Sequence, residues 1–304
     1  MTAAPMTTPP NPASQGLDVG VMDGPLFCFG GAYSNAQATK AVLAEARARG
    51  FGPERILCTG DVVAYGGEPE ATVELIRAAG IHVVMGNCEE SIGFAAADCN
   101  CGFEDGSDCA AWSKSWFAHA ASVLDADAKA WMRGLPRQLR LEISGRRFAV
   151  IHGGDEDISE YVFASTPDAA KARIFDRLAQ TGPVDGVIAG HAGLPFTQII
   201  GHRIWHNAGA IGMPANDGTP RGWFSIIAPE AGGVGISFHP LTYDHDGAAR
   251  ALRAINPDLP YAQTLGDGLW PNMAVLPEAE RRLRGRPLSP EPVYWPDAGS
   301  AAAE

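Results

Sequence analysis

The alternation of short apolar runs with amphipathic stretches constrains the fold of this chain most strongly. Three runs read as buried strands, and the two stretches between them carry the caps and terminal glycines of helices. The runs are "PLFCFG", "RILCTGD" and "IHVVMGN". This order and spacing predict parallel strands joined by right-handed crossovers. Beyond residue 135, further apolar runs predict at least seven more strands around one helix near Pro167 to Gln180, so the fold class is mixed α/β.

Length and composition favour one large domain with tails. The chain has 304 residues, 46% of them apolar, and no linker divides its centre. We predict one large domain over 23–245 with a cysteine-bearing helical insertion at about 88–133, and a helical extension over 246–285. Residues 1–22 and 286–304 are poor in core residues or rich in proline, which predicts disordered tails.

Charge and hydropathy exclude several function classes. The formal net charge of −12 argues against a nucleic-acid partner bound through its phosphates. No apolar run approaches the roughly 18 residues that span a membrane, and the amino terminus lacks the features of a signal peptide. We therefore expect a cytoplasmic protein without a membrane partner. The sequence leaves the oligomeric state open.

Four polar residues follow apolar strands at equivalent positions: Asp61, Asn87, His152 and His191. In open α/β sheets, ligands bind at the carboxyl ends of strands, so we expect these side chains to meet. One carboxylate, one amide oxygen and two imidazoles suit a transition-metal ion. The pattern predicts a metal site.

The segments around these residues resemble a known family. They are "GDVVAYGGEP", "VVMGNCEE", "IHGG", "GHAGLPF" and "HNAGAIGMPANDGTPRGWFSII". The series is similar to calcineurin-like metallophosphoesterases, especially bacterial members similar to diadenosine tetraphosphatases and small phosphodiesterases. The resemblance implies a four-layer α/β/β/α sandwich and a hydrolase in which two metal ions act on a phosphate ester. It implies that Asp61 bridges the two ions, and that Asn87, His152 and His191 are the remaining ligands of one of them.

The chain departs from the family at the other ion. Gly31, Tyr33 and Gly193 stand where the family keeps that ion's own ligands, and Cys88 replaces the histidine that assists the leaving group. Because the losses all fall on one half of the site, we predict a rebuilt site that holds one iron, manganese or zinc ion.

Two further sets of residues leave alternatives open. Tyr33 either ligates iron(III) as a phenolate or fills the volume of the missing ion. Cys99, Cys101 and Cys109, with Cys88 upstream, either hold an additional metal or belong to a plain loop with reduced thiols or one disulfide.

The resulting prediction is a phosphoesterase that hydrolyses a small phosphomonoester or phosphodiester. Asp61 and Cys88 are its predicted catalytic residues, with Cys88 acting as a metal ligand, as a replacement acid or only from behind the ligands. His206, Asn207 and Arg221 are candidate substrate contacts. Glu89 and Glu90 are alternative proton donors. Two other functions are compatible with the sequence, namely a non-catalytic module that binds a metal or nucleotide, and an enzyme that uses a metal and Cys88 for redox chemistry.

Overall fold

The computed structural model describes residues 16–104 and 106–297. Within these residues lie twelve strands: β1 Leu17–Val21, β2 Leu26–Phe29, β3 Ile56–Cys58, β4 His82–Val83, β5 Gln138–Ile143, β6 Arg146–Ile151, β7 Gly186–Ala189, β8 Phe196–Ile200, β9 Arg203–Asn207, β10 Gly222–Glu230, β11 Gly233–Leu241 and β12 Val293–Pro296. The same residues form nine α-helices: α1 Ala36–Ala48, α2 Pro69–Ala79, α3 Asn87–Gly93, α4 Asp108–Val123, α5 Ala126–Gly134, α6 Asp168–Leu178, α7 His245–Ile255, α8 Tyr261–Asp267 and α9 Glu278–Arg281.

The strands form two six-stranded mixed sheets. The first sheet has the order β1-β5-β6-β7-β9-β8, and the second has the order β12-β11-β10-β2-β3-β4. Strands β2, β3 and β4 run parallel, as the alternation of strands and helices predicted. Strands β10 and β11 form a long antiparallel hairpin that joins this parallel unit to the carboxyl-terminal edge.

Three apolar layers hold the sheets and helices together. Leu26 and Leu57 of the second sheet meet Leu139 and Ile188 of the first in the layer between the sheets. The outer face of the second sheet packs against α1, α2, α4, α7 and α8. The outer face of the first sheet packs against α6, which contributes Phe175. The four-layer α/β/β/α arrangement is therefore confirmed.

Local sequence signals account for the ends of the first helices. The Asn35 side chain accepts a hydrogen bond from the backbone N–H of Ala38 at 2.9 Å, and so caps α1. Pro69 occupies the first turn of α2, where its missing N–H costs nothing. Gly80 ends this helix with a φ of 65°, a conformation that glycine adopts without strain.

Both predicted disordered tails contain strands, so these predictions are wrong in part. Leu17–Val21 pairs in parallel with β5, and Val293–Pro296 pairs antiparallel with β11. Trp295 is buried, and its ring lies 5.8 Å from that of Phe148. Burial of this large ring stabilises a segment for which the proline content had predicted disorder. Residues 1–15 and 298–304 lie outside the described part of the chain.

The remaining helices come from the predicted insertion and extension. The insertion contains α4 and α5, and the extension contains α7, α8 and α9. In the described ranges, we find no helix that combines the length and apolarity needed to cross a bilayer.

Candidate metal centre

Four strand ends bring the predicted metal ligands together. Asp61 follows β3 and Asn87 follows β4, both in the second sheet. His152 directly follows β6 and His191 follows β7, both in the first sheet. The loops of the two sheets therefore face each other at the edge where these strands end.

The potential ligand atoms lie within bonding range of a single point. His152 Nε2 is 3.1 Å from Asn87 Oδ1, 3.1 Å from His191 Nδ1 and 3.2 Å from Asp61 Oδ2. His191 Nδ1 is 3.9 Å from Asp61 Oδ2. Among the residues that the structure describes, Asp61, His152 and His191 are the one group of histidine, cysteine and acidic side chains close enough to hold an ion.

The hydrogen bonds behind the ligands fit a cation at this point. His152 Nδ1 lies 2.6 Å from the Thr59 carbonyl oxygen, so this nitrogen donates and Nε2 presents its lone pair. Asn87 Nδ2 donates to the Cys99 carbonyl at 2.8 Å, which turns Oδ1 toward the cluster. In their unprotonated forms, His152 Nε2 and His191 Nδ1 add two lone pairs to those of the Asn87 and Asp61 oxygens, and a cation would satisfy this set of donors. A backbone partner for a ligating histidine is the usual arrangement.

Electrostatics favour the ionised form of Asp61. Burial alone would raise the pKa of Asp61, but His152 and His191 oppose it and the pKa is lowered. Burial lowers the pKa of His152, yet the neighbouring Asp61 carboxylate outweighs it and raises the pKa. The pKa of His191 is lowered, chiefly by burial. A carboxylate beside one neutral imidazole is a suitable start for metal binding.

The Glu89 side chain stabilises the loops that carry the donors, a role that was not predicted from the sequence. Its fully buried carboxylate accepts hydrogen bonds from the backbone N–H groups of Asp61 at 2.8 Å, Gly86 at 3.0 Å and Val63 at 3.1 Å. Burial and the Asp61 carboxylate raise the pKa of Glu89 to about 7. This side chain ties the loop after β3 to the loop after β4. The only signal in the sequence was a glutamate beside Cys88.

Cys88 lies behind the ligands rather than in front of them. Its thiol is 1% exposed and lies 3.6 Å from Asn87 Nδ2, and its backbone N–H points to Asp61 Oδ1 at 3.4 Å. Burial and the Asp61 carboxylate raise the pKa of this thiol. The predicted catalytic role of Cys88 gains no support from this placement.

Tyr33 occupies the space between Gly31 and Gly193. A Cβ atom on Gly31 would lie 2.4 Å from Tyr33 Cζ, and one on Gly193 would lie 3.6 Å from Tyr33 Oη. Side chains at these two glycines would therefore extend to the Tyr33 ring. Burial, followed by the Asp61 charge, raises the pKa of Tyr33 well above its ordinary value. Both observations favour the interpretation that Tyr33 fills volume as a neutral phenol.

The cysteine loop forms no metal site in the described part of the chain. Cys99 and Cys101 are joined by a disulfide, and Cys109 is a free, buried thiol in the first turn of α4. The prediction of an additional metal at these residues is therefore not supported, because the disulfide removes two of the three thiols. The loop instead supplies the Cys99 carbonyl that orients Asn87.

The three candidate substrate contacts lie elsewhere. His206 is fully buried between Thr197 and Ser225, at 2.8 and 2.7 Å from their hydroxyl oxygens. Asn207 is also buried, and its Nδ2 donates to the Gly190 carbonyl at 2.6 Å. It thus holds the loop that carries His191. Arg221 pairs with Asp217 at 3.0 Å. All three side chains are engaged within the protein, so the prediction that they contact substrate gains no support from these positions.

A cleft opens beside His191. Its walls include six aromatic residues: Tyr33, Tyr65, Phe103, Tyr161, Tyr261 and Trp270. The Tyr161 ring lies over the His191 ring with 4.2 Å between their centroids. The sequence around Tyr161 carried no signal for this contact.

Comparisons with known proteins agree on the fold. Residues 33–227 match the calcineurin-like phosphoesterase superfamily domain. Uncharacterized protein MJ0912 of Methanocaldococcus jannaschii is 28% identical over 166 residues, which are 54% of this chain and 60% of that protein. The chain thus aligns with less than two thirds of this relative.

Two solved structures share the architecture. The metallophosphoesterase from Sphaerobacter thermophilus has a TM-score of 0.60 at 22% identity, over 81% of this chain and 99% of the other. Hypothetical protein PH1004 from Pyrococcus horikoshii OT3 has a TM-score of 0.67 at 16% identity, over 82% of this chain and 98% of the other. At these identities the likeness concerns the fold alone.

Proposed function

The chain belongs to the calcineurin-like phosphoesterase superfamily, and from this premise we propose that it hydrolyses a small phosphomonoester or phosphodiester at a centre that holds one metal ion. The observation that carries the proposal is the convergence of Asp61, Asn87, His152 and His191 on one point. Tyr33 takes the space beside it. The chain thus retains one complete set of donors and offers no second set among its described residues.

The four donors suit a transition-metal ion such as iron, manganese or zinc. When bound, such an ion would supply Lewis acidity, which stabilises charge on phosphate oxygens and makes water more acidic. The chain's own residues then have distinct tasks. His152 is held in its ligating tautomer by Thr59, and Glu89 fixes the backbone on both sides of Asp61.

No strong side-chain acid reaches the cleft from the described residues. Its lining contains no aspartate or glutamate, and Cys88 is buried behind Asn87. A leaving group would therefore depart with little help from proton donation, which typically contributes about 100-fold to 10,000-fold. The proposed enzyme should favour aryl esters, whose leaving groups are stable as anions, over alkyl esters.

Hydrolysis assays on the metal-loaded protein test the proposal. We expect turnover of 4-nitrophenyl phosphate or bis(4-nitrophenyl) phosphate that stops on chelation. His152→Gln should lower kcat/KM by about 100-fold or more, because it removes one donor of the centre. The matched control is His202→Gln, which changes an exposed histidine and should keep full activity. Equal turnover by wild type and His152→Gln would show that the activity belongs elsewhere.

A non-catalytic binding module is the second candidate, favoured by the position of Tyr33. Its ring fills space where a second ion would otherwise add charge stabilisation. Metal-dependent binding of phosphate esters with no turnover of either nitrophenyl ester would support this function over hydrolysis. The redox alternative has less support, because the Cys88 thiol is 1% exposed.

A further inference from the structure

We infer that the cleft beside His191 binds an aromatic, uncharged group of the substrate, so that the substrate class is an aryl or similarly apolar phosphate ester. This inference rests on the proposed function and specifies its substrate. It concerns the group attached to the phosphate, which the four metal donors do not determine.

The position of the cleft connects it with the metal centre. His191 belongs to both, because its Nδ1 faces Asp61 while its ring lines the cleft. Gly193, two residues on, also lines the cleft, where a Cβ would lie 3.6 Å from Tyr33 Oη and 3.7 Å from Trp270 Cζ2. The absence of a side chain at Gly193 therefore leaves the cleft open next to the metal donors. A phosphate at the centre would extend its ester group into this space.

The aromatic walls are held from behind, which prepares the cleft for a planar ligand. Tyr65 packs against Tyr33 with centroids 5.0 Å apart and against Tyr261 at 4.9 Å. Trp270 Nε1 donates to the Pro214 carbonyl at 2.7 Å. Tyr161 donates its hydroxyl to the Cys101 carbonyl at 3.1 Å. Rings fixed in this way lose little freedom when a ligand stacks on them.

The charge of the lining selects against a second ionic group. In the described ranges, no lysine, arginine, aspartate or glutamate lines the cleft. A second phosphate or a carboxylate placed there would lose its hydration without gaining a partner, which is costly. Nucleoside polyphosphates and sugar bisphosphates therefore fit poorly. An ester with one phosphate and an aromatic ring matches both the centre and the cleft.

Binding of phosphonates tests this inference without any turnover, since their P–C bond is not hydrolysed at a phosphoesterase site. Calorimetry on the manganese-loaded protein compares methylphosphonate, phenylphosphonate and 4-carboxyphenylphosphonate. We expect phenylphosphonate to bind about 10-fold more tightly than methylphosphonate, because its ring leaves water. The added carboxylate should cancel this gain.

Two variants locate the effect. Phe103→Ala removes one aromatic wall and should reduce the preference for phenyl over methyl by about 3-fold or more. The matched control, Phe94→Ala, changes a phenylalanine that is 53% exposed and does not line the cleft, and should keep the preference. Affinity for methylphosphonate should be unchanged in both variants.

Equal affinity for phenylphosphonate and methylphosphonate would overturn the inference, and so would a failure of the protein to bind either. A preference that survives Phe103→Ala unchanged would also overturn it, because the ring would then bind elsewhere. Failure of the proposed function looks different. In that case the phenyl preference and its loss in Phe103→Ala are observed, while no phosphate ester is hydrolysed.

Discussion

At the scale of single residues, the geometry of the candidate centre depends on groups that are not among its four donors. Glu89 links the loops that carry Asp61 and Asn87, and Thr59 sets the tautomer of His152. The sequence motifs identified the donors because donors follow strands directly. They did not identify Glu89, since a buried glutamate and an exposed one look alike in a sequence.

Replacing Glu89 tests this supporting role. Glu89→Ala leaves three buried backbone N–H groups without an acceptor, and each such group costs about 1–3 kcal/mol. We expect the free energy of unfolding to fall by at least about 2 kcal/mol and metal affinity to fall with it. Glu90→Ala is the matched control, because Glu90 pairs with Arg137 nearer the surface and should cost less than about 1 kcal/mol. Urea unfolding and metal titration measure both effects, and equal losses in the two variants would refute the role.

A second prediction at this scale concerns the position of Tyr33. Gly31→Ala places a Cβ 2.4 Å from Tyr33 Cζ, and Gly31 has a φ of 42°. The substitution should therefore lower the free energy of unfolding of the wild type. In a Tyr33→Ala background the loss that is due to the steric clash disappears, and the loss that is due to backbone strain remains.

A double-mutant cycle separates these two parts. Gly31→Ala should lower the free energy of unfolding in both backgrounds. We expect this loss to be smaller in the Tyr33→Ala background by at least about 1 kcal/mol, as is typical of residues in contact. Chemical unfolding of the four proteins provides the measurement. If Gly31→Ala costs the same in both backgrounds, the Tyr33 ring does not fill the space beside Gly31.

At the scale of elements, His206 shows how a polar strand residue can join the two sheets. His206 lies in β9 of the first sheet, Thr197 in β8 of the same sheet, and Ser225 in β10 of the second. Burial lowers the pKa of His206 to about 3. The folded protein therefore needs a neutral imidazole at this position.

This burial predicts a pH dependence of stability. The unfolded imidazole has a pKa of about 6.5, so its neutral, folded form contributes stability that is fully present above that pH. The contribution is lost as the pH falls from about 6.5 toward 3, by up to about 1.4 kcal/mol per pH unit. His206→Gln should show a shallower loss of stability between pH 7 and 5 than the wild type, whereas His202→Gln should match the wild type. Parallel curves for all three proteins would contradict the prediction.

The elements also show which parts of the fold a sequence can reveal. The β2 to β4 unit was predictable because apolar runs, caps and glycines agree with one another over residues 26–83. Strand β12 was not, because it is short, lies beside prolines and is stabilised by burial of Trp295 against a distant strand. The burial of His206 was not predictable for a similar reason, since its side-chain contact with Ser225 joins β9 and β10 of different sheets and has no local signature in the sequence.

At the scale of the whole molecule, two sheets bring one set of metal donors to an aromatic cleft. The four donors come from four different strand ends, so the centre exists only when both sheets are packed together. Metal binding should therefore stabilise the entire fold, because the unfolded chain holds no preformed site. Tyr33 occupies space between Gly31 and Gly193, and the cleft opens beside His191.

The number of metal ions per chain tests this account most directly. The protein is loaded with excess manganese or zinc, dialysed against metal-free buffer and examined by elemental analysis, alongside His152→Gln. We expect one tightly held ion per chain in the wild type and a large loss in His152→Gln, because His152 Nε2 lies within 3.2 Å of donor atoms from all three other ligands. Two ions per wild-type chain, or none, would contradict it.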